Sequence, residues 1–476
     1  MRTQTHNQPT PFRAAITVFA AVAIVAAVVV SSHPLRADAP EPSVVVTPDA
    51  TGQLRTLNVN GEFDLSNPFF QELGTNGRTC NSCHQPDQGW TITPAVVQQR
   101  FADSKGLDPI FRNNDGSNCE NADISTLGKR RRAFSLLMTR GLIRIGIDVP
   151  PDAEFVIDSV DDPYKCEAPL SGASMYRRPL PSTNLGFLSA VMWDGRESPP
   201  PTPSNNTILT NLAQQADDAT TGHAQSTGHL TSQQAGEIVA FETGLFTAQA
   251  RDDMAGRLSA DGAHGGPAAL SRQPFFMGIN DPVGLNPAGT PFDPAAFTVF
   301  AAWDRQGHDE QARARQSIAR GEQLFNTKPI TLSGVAGLNG QTFAIGVTVP
   351  ASFSGTCTIC HDTPNIGNHS VKAPLNIGLT DPSRRTPDMP LYTLRNLSTG
   401  ETVQTTDPGR AMITGKWADV GKFKGPILRG LAARAPYFHN GSAATLEDVL
   451  DFYDTRFNIG FTDQEKANLI AFLSAL

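Results

Sequence analysis

The sequence predicts a mainly α-helical protein with long loops and a small β insertion. Apolar residues recur at helical spacing between Asp309 and Phe325. A short motif, Cys-x-x-Cys-His, occurs once in each half after a helical lead-in, which indicates two similar blocks. Gly 41 and Pro 36 among 476 residues indicate that much of the chain forms loops. We therefore expect two helical domains, residues 61–245 and 309–476, joined by a connecting segment, residues 246–308.

The first 39 residues are typical of an export signal. Arg2 and Arg13 precede an uninterrupted apolar run, residues 14–30, and Ala-Asp-Ala at residues 37–39 resembles a cleavage site. An uncleaved membrane anchor is the alternative, because the run has about the minimum length for a span. Either way the sequence predicts a mature protein in an oxidising compartment, most simply a bacterial periplasm. Residues 40–60 are expected to form an extended leader.

Within the first block, two stretches are predicted to be helical. The basic run at residues 129–132 is followed by four apolar residues and is expected to start an amphipathic helix. Residues 232–246 are expected to form the helix that ends this block. The connecting segment is rich in Gly, Pro and Asp, so we expect loops with short helices there.

The second block begins with the helix that starts after Asp309. A β-like insertion, residues 331–354 with Gly340 as its turn, then leads the chain to the second motif. Thr445 and Thr462 are suitable N-caps for two last helices, since each has an acidic residue three positions further on.

Four of the six cysteines belong to the two motifs, at residues 80–84 and 357–361. Two thiols on one turn can both reach the vinyl groups of one porphyrin, and the adjacent His then binds its iron. Zinc is disfavoured, because no second Cys-x-x-Cys lies close enough to complete a tetrahedral site. The sequence therefore predicts two covalently bound c-type haems. Their attachment and iron-ligand residues are Cys80, Cys83 and His84, and Cys357, Cys360 and His361.

The remaining cysteines, Cys119 and Cys166, are able to pair. An oxidising compartment favours a disulfide between them, and two unrelated thiols are the alternative. We therefore predict a disulfide in the first block.

The formal charge of -8 bears on the choice of partners. An acidic surface repels phosphate groups, so nucleic acid and anionic lipid are disfavoured as partners.

The sixth ligand of each iron decides between electron transfer and reaction with a small oxidant. A protein ligand closes the iron, whereas an open position accepts peroxide. The sequence leaves eight candidates for these positions. They are Met389, Met412, Tyr392, Tyr437, Tyr453, His223, His229 and His439.

Several stretches, in this order, resemble the bacterial di-haem cytochrome c peroxidase superfamily, which includes the maturation enzyme of methylamine dehydrogenase. They are the first haem motif, MWDGR at 192–196, RGEQLF at 320–325, the second haem motif, FKGPILR at 423–429, and APYFHNGS at 435–442 leading to LED at 446–448. The resemblance implies two cytochrome-c-like haem domains with the haems facing a shared interface.

The resemblance also implies roles for two aromatic residues. Trp193 matches the tryptophan that lies between the haems and carries electrons between them; a buried helical aromatic is the alternative. Tyr453 stands where peroxidases have a methionine ligand of the C-terminal haem iron, and where the maturation enzyme has a tyrosine. A phenolate stabilises ferric and higher oxidation states, so Tyr453 favours storage of oxidising equivalents.

The family's distal glutamate has no match, and His223 occupies the corresponding stretch. His223 is predicted to be the general base for peroxide, with iron ligation or a surface position as alternatives. The family's inter-haem calcium is not favoured, because Arg178 stands at the position of its asparagine ligand. Backbone oxygens near Arg434 and Pro436 would remain available to a calcium ion.

These implications together predict an exported di-haem oxidoreductase. Hydrogen peroxide is expected to be reduced at the N-terminal haem, with electrons from a small cytochrome or copper protein relayed through the C-terminal haem. A non-enzymatic periplasmic electron carrier, or peroxide-driven oxidation of a protein or organic substrate, is the alternative.

Overall fold

The computed structural model describes residues 43–166, 169–199, 207–304, 307–343 and 345–476. The predicted export signal, residues 1–39, lies outside these described residues. Among the described residues, no helix combines the length and apolar character needed to cross a bilayer.

Ten α-helices are found in the described residues, several of them only one or two turns long. In chain order they are α1 Pro94–Ser104, α2 Leu127–Ala133, α3 Ser135–Arg140, α4 Ile208–Gly222, α5 Ser232–Gly244, α6 Pro267–Leu270, α7 Glu310–Thr327, α8 Ala411–Thr414, α9 Leu446–Phe457 and α10 Asp463–Ser474. The predicted helices after Asp309, Thr445 and Thr462 are confirmed, and all three of these residues are side-chain N-caps. The capping boxes with Asp448 and Glu465 are also present.

Strands are more abundant than the sequence suggested. They are β1 Ser43–Asp49, β2 Gly52–Asn58, β3 Ile143–Asp148, β4 Phe155–Asp161, β5 Gly172–Arg177, β6 Leu245–Asp252, β7 Gly256–Arg257, β8 Ile330–Ser333, β9 Ser352–Gly355, β10 Leu391–Asn396 and β11 Thr402–Thr405. About 31% of the described residues are helical, with 3-10 turns included, and 17% lie in strands or single bridges. The prediction of a mainly α protein is therefore only partly correct.

The largest sheet corrects the prediction of an extended leader. Strands β1 and β2 form a hairpin, and the sheet order is β1-β2-β6-β7. Strand β2 pairs with β6 from Gly52 to Asn58, so the leader is bonded to a strand from the predicted connecting segment. Local composition does not reveal such a pairing, because its two strands are far apart in the sequence.

Two smaller sheets matter for the site. In the order β11-β10-β4, strand β10 of the second half pairs with β4 of the first. Strands β8 and β9 pair antiparallel and flank the predicted turn at Gly340, which confirms the β insertion before Cys357. The insertion thus brings its last strand to within two residues of the second motif.

Three helices of the C-terminal half, α7, α9 and α10, share one apolar core. Ile318 and Phe325 on α7, Leu450 on α9, and Leu469 and Phe472 on α10 are all buried in it. Close contact between α7 and α10 is allowed by Gly321, because a Cβ there would overlap the backbone of α10. This core supports one side of the second motif, since Cys357 packs against it.

The predicted disulfide is present. Cys119 and Cys166 are bonded, with Cα atoms 5.2 Å apart. It ties the loop before α2 to the loop between β4 and β5.

Candidate functional site: two cavities that share a wall

The first motif forms a single 3-10 turn, Cys80–Ser82, followed by Cys83 and His84. His84 Nδ1 lies 3.0 Å from the carbonyl oxygen of Trp90, six residues further on. A carbonyl accepts, so Nδ1 carries the hydrogen and Nε2 remains available to bind iron. Burial lowers the pKa of His84 to about 4, which keeps the imidazole in the neutral form that a metal requires.

The second motif is built in the same way. Its turn is Cys357–Ile359, and His361 Nδ1 lies 2.6 Å from the carbonyl oxygen of Gly367, again six residues further on. Burial lowers the pKa of His361 to about 4 as well. Neither pair of motif cysteines is engaged in a disulfide, so all four thiols are free to attach a porphyrin.

A cavity adjoins each motif. The first, of about 190 Å³, is lined by Cys80, Cys83 and His84, and the second, of about 240 Å³, by Cys357, Cys360 and His361. Both are walled mainly by apolar side chains, as a porphyrin face requires. We refer to them as the first and second cavities.

One wall is common to both cavities. Trp193, Arg178, Lys424 and Arg434 line each of them. None of these three cations forms an ion pair with a carboxylate among the described residues, although Arg178 and Lys424 are buried. Burial lowers the pKa of Lys424 to about 8. Unpaired buried cations facing both cavities complement the propionate carboxylates that every haem carries, so the residues present fit this cofactor at both motifs.

Trp193 is held at its position from both sides. Its Nε1 donates to the carbonyl oxygen of Arg178 at 2.8 Å, and its own carbonyl oxygen accepts from the Lys424 backbone N–H at 2.9 Å. The residue before it, Met192, has φ of 68°, a left-handed conformation that is rare for a long side chain. Such strain persists only where surrounding contacts fix the backbone, and it is common at functional sites.

The surrounding contacts are a buried ion-pair network. Arg177 binds both Asp194 and Asp407, and all three side chains are buried. Burial alone would raise the pKa of Asp194, but the positive charges of Arg177 and Arg196 outweigh it and hold the pKa below its ordinary value. The Asp in the MWDGR stretch therefore anchors the loop that carries Trp193.

His223, the C-cap of α4, lies in the first cavity together with His84. Its Nδ1 is 2.5 Å from Asp115 Oδ2. Burial favours protonation of Asp115, but the hydrogen bond from His223 and the charge of Arg78 outweigh it and lower its pKa. The ionised carboxylate accepts, so Nδ1 carries the hydrogen and Nε2 is the nitrogen able to take up a proton.

Tyr453, on α9, lies in the second cavity with His361. Burial, with the nearby Cys360 and Cys357, raises its pKa. Its hydroxyl has no hydrogen-bond partner among the described residues. The same cavity contains His439, which is 1% exposed and whose two ring nitrogens also lack hydrogen-bond partners within the described part of the chain. Its Nε2 lies 3.8 Å from Asp407 Oδ2. Of the eight sequence candidates, Tyr453 and His439 are thus the two that line this cavity without a hydrogen bond from the side chain to another described residue.

The remaining sequence candidates lie elsewhere or are occupied. Met412 and Tyr392 pack in the core beside β10, and Met389 packs in a separate cluster near α3. His229 is 82% exposed and is bonded to Asp217. Tyr437 lines the second cavity, but its hydroxyl donates to the Leu431 carbonyl oxygen at 2.9 Å.

Arg178 binds one of the backbone oxygens that were expected to remain available to calcium, the carbonyl oxygen of Arg434. Its guanidinium donates to the carbonyl oxygens of Arg140 at 2.7 Å, Ile92 at 2.9 Å and Arg434 at 3.2 Å. A fixed cation is therefore bound to the same type of ligand that a calcium ion uses.

Several functional side chains were missed by sequence reasoning. Asp115 gives no local signal, since it is one of 46 acidic residues and lies over a hundred positions from His223. Lys424 lay inside the FKGPILR stretch but was assigned no role there. Glu242 lines the first cavity, is 6% exposed, and has a carboxylate oxygen without a partner in the described residues.

Comparison with known proteins agrees with the assignment of haem sites to the two motifs. A family model described as RoxA-like, cytochrome c-like matches residues 422–459, which include His439 and Tyr453. Cytochrome-c peroxidase IdrP2 of Denitromonas iodatirespirans is 34% identical over 134 residues, which is 26% of this chain and 36% of that protein. Cytochrome c551 peroxidase of Nitrosomonas europaea is 32% identical over 126 residues, 26% of this chain and 31% of that protein. These matches support the resemblance to the bacterial di-haem cytochrome c peroxidase superfamily.

The similarity to these superfamily members is partial. The chain spans about a third of the length of each of these two curated relatives. A crystal structure of a MauG-like protein associated with microbial copper homeostasis aligns over 86% of both chains, with 16% identity and a TM-score of 0.37.

Proposed function

We propose that this protein is an exported, periplasmic oxidoreductase with two c-type haems, which reduces hydrogen peroxide at the first cavity. Electrons come from a small cytochrome or copper protein and pass through the second cavity. The reaction consumes two electrons and two protons for each peroxide and yields two waters. The observation that carries the proposal is the difference between the cavities: the first contains a His–Asp pair, the second a tyrosine, and Trp193 lines both.

When bound, each haem would supply an iron that exchanges electrons, and the iron held by His84 in the first cavity would accept peroxide. The chain itself supplies the handling of protons. Nε2 of His223 accepts a proton from the oxygen of peroxide nearest to it and returns it to the departing oxygen. Asp115 keeps His223 in the required tautomer and stabilises its positive charge while it holds the proton.

Trp193 is proposed to couple the two cavities. Its indole is oxidisable and lines both, so electrons can pass from the second to the first without crossing water. Arg178, Lys424 and Arg434 neutralise carboxylates on both sides of it. Because the Arg178 guanidinium already binds the Arg434 carbonyl oxygen, we propose that no calcium ion is needed between the haems.

Tyr453 is proposed as the sixth ligand of the iron held by His361. A phenolate favours oxidised iron, so this site would hold an oxidising equivalent rather than donate at high potential. That property supports a second candidate function, in which peroxide drives the oxidation of a protein or organic substrate. The two functions are distinguished by what is oxidised during turnover with peroxide: a small cytochrome or copper protein in the first, a protein or organic substrate in the second.

The test uses the purified holoprotein and one equivalent of hydrogen peroxide. Ferric protein is examined by absorption and electron paramagnetic resonance before and after addition. We expect one high-spin signal, two haems per chain, and a change in both haem signals together. Two low-spin haems whose spectra do not change with peroxide, even after partial reduction, would contradict the peroxidase proposal. The protein would then be a non-enzymatic electron carrier.

A further inference from the structure

A second cluster of ligand-type side chains lies beside the second motif. One ligand atom from each of Asp281, Asp362 and His369 lies within 4.8 Å of the other two. The three residues are 1%, 0% and 7% exposed, respectively. Asp281 comes from the connecting segment before α7, whereas Asp362 follows His361 directly and His369 lies seven residues further on.

The hydrogen bonds of these side chains leave part of the cluster without partners. Asp281 Oδ2 accepts from the backbone N–H groups of Val283 and Leu285, and both Asp362 oxygens accept from Ser370. Asp281 Oδ1 and His369 Nδ1, by contrast, have no partner among the described residues. Neither carboxylate forms an ion pair with a Lys or Arg in that part of the chain.

Two neighbouring buried carboxylates are costly without a compensating cation. A proton shared within the cluster would remove one charge, and a metal ion would neutralise both. The free imidazole nitrogen favours the metal, because it supplies the lone pair that borderline transition metals bind. Calcium is disfavoured, since it takes six to eight oxygen ligands.

We propose that Asp281, Asp362 and His369 bind one divalent first-row transition-metal ion. The ion would join the connecting segment to the turn that follows His361. These two segments are already in contact, because Asn280 Nδ2 of the connecting segment donates to the carbonyl oxygen of Asp362 at 3.0 Å. Ions that bind only the folded chain raise its stability by mass action. Loading is therefore expected to raise the melting temperature without changing the haem content.

Zinc is the probe for the test, because it is redox-silent and is distinguished from haem iron by mass spectrometry. Full-length holoprotein is dialysed against a chelator and then equilibrated with Zn²⁺. We expect about one zinc per chain beyond the haem iron, and at least tenfold weaker binding in Asp281→Asn and His369→Gln. His229→Gln is the matched control, since His229 also contacts an aspartate but is exposed. Its zinc binding should equal that of the wild type.

Two results would overturn the proposal: a folded wild-type holoprotein that binds less than a tenth of an equivalent, or Asp281→Asn and His369→Gln variants that bind zinc like the control. The first result would mean that a proton neutralises the pair. If these variants lose haem, the zinc ligands are identified instead by X-ray absorption at the zinc edge of the loaded wild type. One imidazole and at least two oxygens at about 2.0–2.2 Å are expected. A sulfur ligand, more than one imidazole, or oxygen ligands alone would refute the site.

Discussion

The His223–Asp115 pair provides the sharpest test of the proposed proton transfer. We consider Asp115→Asn, which keeps the shape of the side chain but removes its charge. The Asp115 carboxylate holds His223 at 2.5 Å and is itself bound to Arg78 at 2.5 Å. An amide at this position cannot stabilise a positive imidazole, so His223 should become a weaker base that still lies in the first cavity.

The expected magnitudes follow from the two contacts. A hydrogen bond to a charged partner contributes about 1.5–3 kcal/mol, which corresponds to about a 10- to 100-fold slower reaction in Asp115→Asn. Loss of the base itself in His223→Ala should slow the reaction by about 100- to 10,000-fold. Because Asp115 acts through His223, the double variant should be no slower than His223→Ala alone.

The assay is the rate at which ferric holoprotein reacts with peroxide, followed by stopped-flow absorption at several peroxide concentrations. Asp217→Asn is the matched control. Asp217 makes the same type of contact with His229, but that histidine is 82% exposed and outside both cavities. The control should react at the wild-type rate and, like the other variants, retain two haems.

Three results would refute this reasoning. Equal rates for Asp115→Asn and the Asp217→Asn control would show that the carboxylate has no role. Effects of Asp115 and His223 that multiply in the double variant would show that they act independently. A low-spin signal that becomes high-spin in His223→Ala, before any peroxide is added, would identify His223 as an iron ligand instead.

Three further predictions concern the shared wall and the second cavity. Trp193→Phe should leave the first haem reactive towards peroxide while the spectrum of the second stays unchanged; a response of both haems would contradict the relay. Tyr453→Phe should convert one low-spin ferric signal to high-spin, and an unchanged spectrum would make His439 the preferred ligand. Asp194→Asn should lower the free energy of unfolding by about 1.5–3 kcal/mol at neutral pH, because Arg177 loses a charge-assisted hydrogen bond and keeps only Asp407 as an ion-pair partner. The depressed pKa of Asp194 stabilises the fold above about pH 3.8, so in chemical denaturation this difference should shrink as the pH falls below that value; a constant difference would contradict it.

Local signals in the sequence were sufficient for α7, α9 and α10 of the second half, whereas the short helix α8 was not predicted. Thr445 and Thr462 carry their capping partners three residues away, so both helix starts were predictable from neighbouring residues. The sheets were not predictable in this way. Strand β2 bonds to β6, and β10 to β4, across about two hundred residues, and no short window contains both partners.

In the candidate site, too, features formed by neighbouring residues were predictable, and features formed by distant segments were not. The haem motifs are contiguous, so their chemistry was evident, whereas the partners of the catalytic candidates come from distant segments. Asp115 reaches His223 only because α4 ends beside the loop that follows α1. Met389 and Met412 were plausible ligands by residue type, and only the packing around β10 and α3 removes them from the second cavity.

The shared wall makes the two cavities interdependent for a physical reason beyond the position of Trp193. Arg178, Lys424 and Arg434 line both cavities, and the described residues provide no carboxylate to pair with them. A change of charge in one cavity therefore alters the electrostatic energy of cations that also face the other cavity. The buried surroundings screen this interaction only weakly. The indole connects the cavities for electrons, and the three cations connect them electrostatically. If the two haems bind as proposed, oxidation at one would therefore alter the potential at the other, whichever substrate supplies the electrons.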